Sequence, residues 1–121
     1  MFEWAELVRG KWPEIALMHH IPNGGSRNPV EAVHLKEQGV RAGIPDIFLP
    51  VPRAGYHGLY IEMKRRRFSR VTAEQREMIK KLRAQGYRVE VCKGFEVAKS
   101  VIGKYMTDSC DKKELDGDED V

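Results

Sequence analysis

The chain is short of cysteine and of long apolar runs, and each shortage excludes a class of protein. Two cysteines in 121 residues, Cys92 and Cys110, make no convincing disulfide framework. Cys92 lies in the apolar run "VEVC" and reads as a buried thiol, which fits a reducing cytoplasm. No apolar run approaches the roughly 18–20 residues of a membrane helix, so no membrane span is expected. The opening "MFEWAELVRGKW" is charged early and lacks the apolar stretch of a secretion signal, so secretion is not indicated. A content of 41% hydrophobic residues supports one modest core, and the length suits one compact domain.

Charge is present and uneven. The net charge is +3, but residues 107–121, "TDSCDKKELDGDEDV", carry seven acids against two lysines. The tail therefore stands at −5 and residues 1–106 at +8. A basic body with an acidic tail points to an anionic partner, nucleic acid foremost, or serves solubility alone. The division expected is a folded domain over 1–106 and a disordered tail over 107–121.

Periodicity predicts eight elements. "EWAELVRGKW" reads as a short amphipathic helix stopped by Pro13, and "EIALMHHI" as a strand. "PNGGSRN" is a loop, after which Asn28 caps and Pro29 opens a helix that ends at Gly39. "GIPDIFLPVP" and "GLYIEMK" read as an antiparallel pair joined by the turn "RAGYHG". "TAEQREMIKKLRAQG" is the clearest helix, with Met78, Ile79 and Leu82 as its apolar stripe. "YRVEVC" reads as a strand and "FEVAKSVIGKYM" as a closing helix. The order α-β-α-β-β-α-β-α predicts an α/β layered domain around a mixed sheet.

Two acids and a lysine sit oddly in the central pair. Strand residues two apart share a face, so Tyr60, Glu62 and Lys64 go together and Ile61 and Met63 take the core. Asp46 and Phe48 would share one face of the preceding strand, and a hairpin would bring Asp46 beside Glu62 and Lys64. Adjacent carboxylates repel, and one resists ionising unless a divalent metal joins them. Mg²⁺ takes hard oxygen ligands, often one or two carboxylates plus a substrate phosphate. The lysine would then stabilise the attacked phosphate or help deprotonate water, as in metal-assisted phosphodiester hydrolysis. The plain alternative is a surface ion pair.

Three neighbouring features bear on the choice. The run "KRRRFSR" places Lys64, Arg65, Arg66, Arg67 and Arg70 where phosphates could be gripped, or simply where a loop is solvated. Gln75 heads the apolar stripe of its helix, in a capping box with Thr72, pointing into the site, or in part both, with the sequence leaning slightly to the cap. In "HHIPNGGSRN", His19 and His20 point to opposite faces, which argues against a shared zinc. Asn23, Gly24 and Gly25 form a turn or approach a nucleic-acid backbone, with Arg27 close behind.

Taken together, "GVRAGIPDIFLPVPRAGYHGLYIEMKRRR", the "T-x-x-Q" of the next helix, "GYRVEVCKG" and "HHIPNGGSRN" resemble the VRR-NUC domain of the PD-(D/E)xK nuclease superfamily over roughly Trp4 to Tyr105. The resemblance implies a restriction-endonuclease-like αβββαβ core and an endodeoxyribonuclease dependent on Mg²⁺ or Mn²⁺. Asp46 and Glu62 match the metal ligands, with the Met63 backbone carbonyl assisting. Lys64 matches the motif lysine, and Gln75 the glutamine of the following helix. DNA would be met by Asn23, Arg27, Arg65, Arg66 and Arg67. Stand-alone phage and bacterial members resemble four-way-junction resolvases and are thought to act as homodimers, which implies a branched DNA substrate and a bacterial or phage-infected cell. The same domain in the larger Fanconi-associated nuclease works on flaps. One departure stands out: the glutamate usual in the first helix would fall before Met1, leaving Glu3 or Glu6 as substitutes. That gap motivates a second expectation, a catalytically weak or inactive nucleic-acid-binding module. A third, an adaptor acting through the acidic tail, would require residues 107–121 for function.

Overall fold

The computed structural model describes residues 1–22, 29–65 and 70–107. The chain opens with α1 (Phe2–Leu7) and a 3₁₀ helix (Pro13–Leu17), then β1 (His19–His20) and α2 (Pro29–Glu37). It continues through β2 (Ile47–Leu49), β3 (Leu59–Lys64), α3 (Ala73–Ala84), β4 (Arg88–Lys93) and α4 (Phe95–Met106). The four strands form one sheet in the order β1-β2-β3-β4. The first three are antiparallel, and β4 joins β3 in parallel. The parallel step needs a crossover, and α3 provides it.

Pairing sets the two faces. Ile47 lies opposite Ile61 and Leu49 opposite Leu59, so these four share a face, and all are buried. On that side they cluster with Ala98, Ile102 and Tyr105 of α4 and with Ala5, Ile15 and Met18 from the start of the chain. The Tyr105 hydroxyl, inside this layer, donates to the Val51 carbonyl at 2.5 Å, as a buried phenol must. Cys92 is fully buried in the same cluster, and burial pushes its thiol up to about 12, so it is an inert filler. On the opposite side α3 packs on β4, with Ile79 and Val89 both fully enclosed. Arg88 and Glu90 of β4 pair at 3.1 Å, which lets a charged residue sit at 4% exposure.

Two predicted strands are shorter than their apolar runs. "EIALMHHI" is mostly 3₁₀ helix, with only His19 and His20 in β1. Pro13 opens the helix, and Ile15 and Met18, three apart, both turn into the core. Three-residue spacing is the 3₁₀ period, and a strand would have put that pair on opposite faces. "GIPDIFLPVP" contributes only Ile47–Leu49, because Pro45, Pro50 and Pro52 bracket it and cannot donate to a ladder. The "RAGYHG" turn is a small hairpin in which Arg53 and Tyr56 exchange backbone hydrogen bonds. Its central residues Ala54 and Gly55 both have positive φ, as a type I′ turn requires. No described helix is long and apolar enough to cross a membrane. The acidic tail beyond Thr107 lies outside the described residues.

Candidate active site

Extending the β2–β3 register by one residue sets Asp46 directly opposite Glu62. Residues directly opposite in an antiparallel pair point to the same side. The Asp46 side chain is fixed there: its Oδ2 accepts the Met63 backbone N–H at 2.9 Å. Its backbone carbonyl accepts the Ile21 N–H at 2.6 Å, which ties the start of β2 to the end of β1.

Glu62 is the unusual residue. It is only 4% exposed, although it carries a carboxyl group. Its Oε1 accepts from the Gln75 side-chain amide at 2.9 Å and lies 3.6 Å from Lys64 Nζ. Its Oε2 is buried with no geometric hydrogen-bond partner among the described residues. Burial pushes the Glu62 carboxyl up to about 7, the neighbouring Asp46 carboxylate adds to the rise, and Lys64 offsets part of it. A half-satisfied buried acid is costly by itself. It makes sense as one side of a site that something cationic completes.

Lys64 and Gln75 complete the geometry. Lys64 follows Glu62 by two residues on β3, so both point to the α3 side. Its ammonium donates to Gln75 Oε1 at 2.9 Å. That same oxygen accepts the Thr72 backbone N–H at 3.0 Å, while the Gln75 backbone N–H donates to Thr72 Oγ1 at 3.1 Å. The capping box and the site contact therefore coexist in one side chain. This settles which way the amide faces: two obligate donors meet its oxygen, so its NH₂ must turn to Glu62. Thr72→Ala removes one half of the box. It is expected to cost about 1 kcal/mol, read as a lower melting temperature that Thr72→Ser restores.

The remaining sequence candidates fall into two groups. Arg65 is exposed, directly after the end of β3. Asn23, Arg27, Arg66 and Arg67 lie outside the described residues. His19 and His20 are both exposed, and they pair across to Phe48 and Ile47 respectively. Glu3 and Glu6 do not join Asp46 and Glu62: among the described residues no group of three or more His, Cys, Asp or Glu side chains converges. Glu6 is instead paired with Arg9 at 2.9 Å, and both glutamates line a depression of about 290 Å³ against Ala5, Ile15 and Met18. Sequence reasoning missed the Met63 N–H that orients Asp46 and the ring cluster beside the acids. The signal for the rings was present, since alternation in "DIFL" and "LYIE" puts Phe48 and Tyr60 on the acid face.

The donor set fits a hard divalent cation. Two carboxylates, one with a bare buried oxygen, face each other across adjacent strands, with a backbone carbonyl one residue on at Met63.

Comparison with known proteins gives the family of the chain. The family model of the VRR-NUC domain matches residues 3–96. A solved structure of a VRR_NUC domain protein is 31% identical, with a TM-score of 0.67 over 90% of this chain and 89% of that one. No curated protein matches the chain. With most of its length matched by the family model and its fold shared with a relative 31% identical, this chain belongs to the VRR-NUC domain family, a nuclease-type family.

Proposed function

We propose that the chain is an endodeoxyribonuclease dependent on Mg²⁺ or Mn²⁺ that cuts branched DNA. The observation that carries the reading is the buried Glu62 carboxyl opposite Asp46, with one oxygen lacking a partner among the described residues and an ammonium 3.6 Å from the other. Asp46, Glu62 and the Met63 carbonyl would hold the metal. When bound, the cation supplies Lewis-acid charge for attack of water on a phosphodiester.

The residues divide the remaining work. Asp46 is held in place by the Met63 N–H, so its carboxylate does not reorganise when substrate arrives. Gln75 anchors Glu62 through its amide NH₂ and Lys64 through its oxygen, which fixes an acid and a cation to one helix turn. The Lys64 ammonium keeps its remaining donors for a phosphate oxygen, where negative charge grows as the water oxygen bonds to phosphorus. The ester P–O bond then breaks; the attacking water gives up one proton to solvent, and the departing oxygen takes one up from it. Arg65, exposed beyond Lys64, is suited to grip an adjacent phosphate. Symmetric cutting of a four-way junction needs two centres related by a two-fold axis, so the working unit is a homodimer. Light scattering at micromolar concentration checks this; a strict monomer would shift the substrate to flaps or nicked ends.

The test uses labelled linear duplex, flap, fork and four-way-junction DNA with Mg²⁺, Mn²⁺ or EDTA. Metal-dependent products on the branched forms are expected. Asp46→Asn should lower the cleavage rate at least about a hundredfold, because one ligand and its fixed charge disappear. The competing reading is a binding module without catalysis, favoured by the convergence of only two acids among the described residues. Salt-sensitive binding with no product under any metal would establish that reading and end the nuclease one.

A further inference from the structure

The acid pair is continued along the sheet by a strip of aromatic rings. Asp46–Glu62 and Phe48–Tyr60 are successive same-face pairs across β2 and β3. The Phe48 and Tyr60 rings stack with centroids 4.3 Å apart at 18°. His19, opposite Phe48 on β1, meets it edge-on at 5.7 Å. Tyr87 meets Tyr60 and Phe48 at 5.3 and 5.9 Å, and His57 meets Tyr87 at 5.8 Å. The packing is built into the backbone. A Cβ on Gly58 would stand 2.8 Å from the Phe48 ring, and one on Gly86 would stand 2.6 Å from the His57 ring. None of these five rings belongs to the apolar core, which lies on the other face. Phe48, Tyr60 and Tyr87 are half-buried, and His19 and His57 are exposed.

We propose that this strip is the subsite for an unpaired nucleotide flanking the phosphate that is cut; the proposal rests on the nuclease reading above. Same-face positions on a strand are roughly 6.6 Å apart, so the rings begin one step from the carboxylates. A DNA strand with its phosphate at Asp46 and Glu62 therefore lays its neighbouring nucleotide toward the rings. In a paired duplex that base is held inside the stack, and only backbone would face the strip. An unpaired base is free to rest on it, and base–aromatic contact is favourable for every base. The polar groups suit a nucleotide too. His19 Nδ1 donates to the Leu17 carbonyl at 3.0 Å, which leaves Nε2 as an acceptor for an amino group on a base edge. A second copy of the chain seated here would cover the acid pair one step away and shut out substrate, so DNA is the better occupant.

The experiment places 2-aminopurine at an unpaired position next to a duplex end and measures binding by the full chain in EDTA. The unpaired DNA should bind about tenfold tighter than a blunt duplex, with quenching of the 2-aminopurine fluorescence. Phe48→Leu/Tyr60→Leu should abolish the preference without changing the salt dependence, since no phosphate contact is lost. His19→Ala, at an exposed position, should weaken it in a protein with unchanged melting temperature. Absent preference or quenching in the wild type overturns the proposal, as does equal weakening on both DNAs. Loss of self-association in the variants, with DNA binding intact, would make the strip a subunit interface and also overturn it. Cleavage of the same DNAs in Mg²⁺ separates the two ideas. Selective binding without cleavage keeps the subsite and removes the nuclease; cleavage indifferent to the unpaired base does the reverse.

Discussion

Glu62→Gln should destroy nuclease activity and at the same time make the metal-free protein more stable at pH 8. The reasoning begins with burial. In the unfolded chain the Glu62 carboxyl titrates near its ordinary 4.5, while in the fold burial and Asp46 push it up to about 7. Below about pH 4.5 both states hold the proton, and no penalty arises. As pH rises, the unfolded chain releases its proton while the fold retains it, so stability falls until the folded group also ionises near 7. One pKa unit corresponds to about 1.4 kcal/mol, so the loss is on the order of 3 kcal/mol. The amide of the variant cannot ionise, and it still offers Gln75 and Lys64 an oxygen. Thermal melts in EDTA should therefore show a downward slope between pH 4.5 and 7 for the wild type and a flat line for the variant. At pH 8 the variant should melt higher by on the order of 10 °C.

Metal reverses the order. A divalent cation that binds the fold and not the unfolded chain stabilises it by mass action. Added Mg²⁺ or Mn²⁺ should raise the wild-type melting temperature and leave Glu62→Gln unmoved. Parallel pH slopes in the two proteins, or equal responses to metal, would remove Glu62 from the site. On the proposed function this would be a stability–activity conflict located in one carboxyl group.

How much of this was legible in the sequence depends on which kind of constraint each residue answers. β3 was legible because strict alternation in "LYIEMK" leaves one assignment of faces, and Ile61 and Glu62 take opposite sides as that alternation requires. α4 was legible because its spacing is helical and Gly94 precedes it. "EIALMHHI" was not, since a short apolar run carries no period that separates strand from 3₁₀ helix until the core it faces is known. Gln75 shows a different limit. The sequence allows a capping box and a contact to the site on one side chain but does not show how they are shared; the amide has two ends, and the two roles use them together. The Phe48–Tyr60 stack was encoded in alternation too, but its meaning needs the register, which sets those residues opposite each other. The role of the first-helix acids was not legible: Glu3 and Glu6 line a depression at the start of the chain, and among the described residues no third acid joins Asp46 and Glu62.

Gly43→Ala should be the most damaging single methyl group that can be added near the site. Gly43 has φ +82, and a Cβ there would stand 2.6 Å from the Glu74 carbonyl oxygen and 3.1 Å from the Gln75 nitrogen. The contact is with backbone in the first turn of α3, so no side chain can swing away. Left-handed backbone costs an L-residue about 1–2 kcal/mol, and displacing the helix turn adds to that, for roughly 2–4 kcal/mol in all. Gly39 supplies the control. Its φ is +92, but a Cβ there meets nothing within 4 Å. Gly39→Ala should therefore pay only the conformational part, and denaturant melts of the two variants should differ by the packing part. Because the displaced turn carries Gln75, Gly43→Ala should also slow cleavage far more than its stability loss explains, measured where the variant is still fully folded. Equal stability for the two alanine variants, or normal cleavage in Gly43→Ala, would mean that the first turn of α3 can retreat without taking Lys64 and Glu62 out of register.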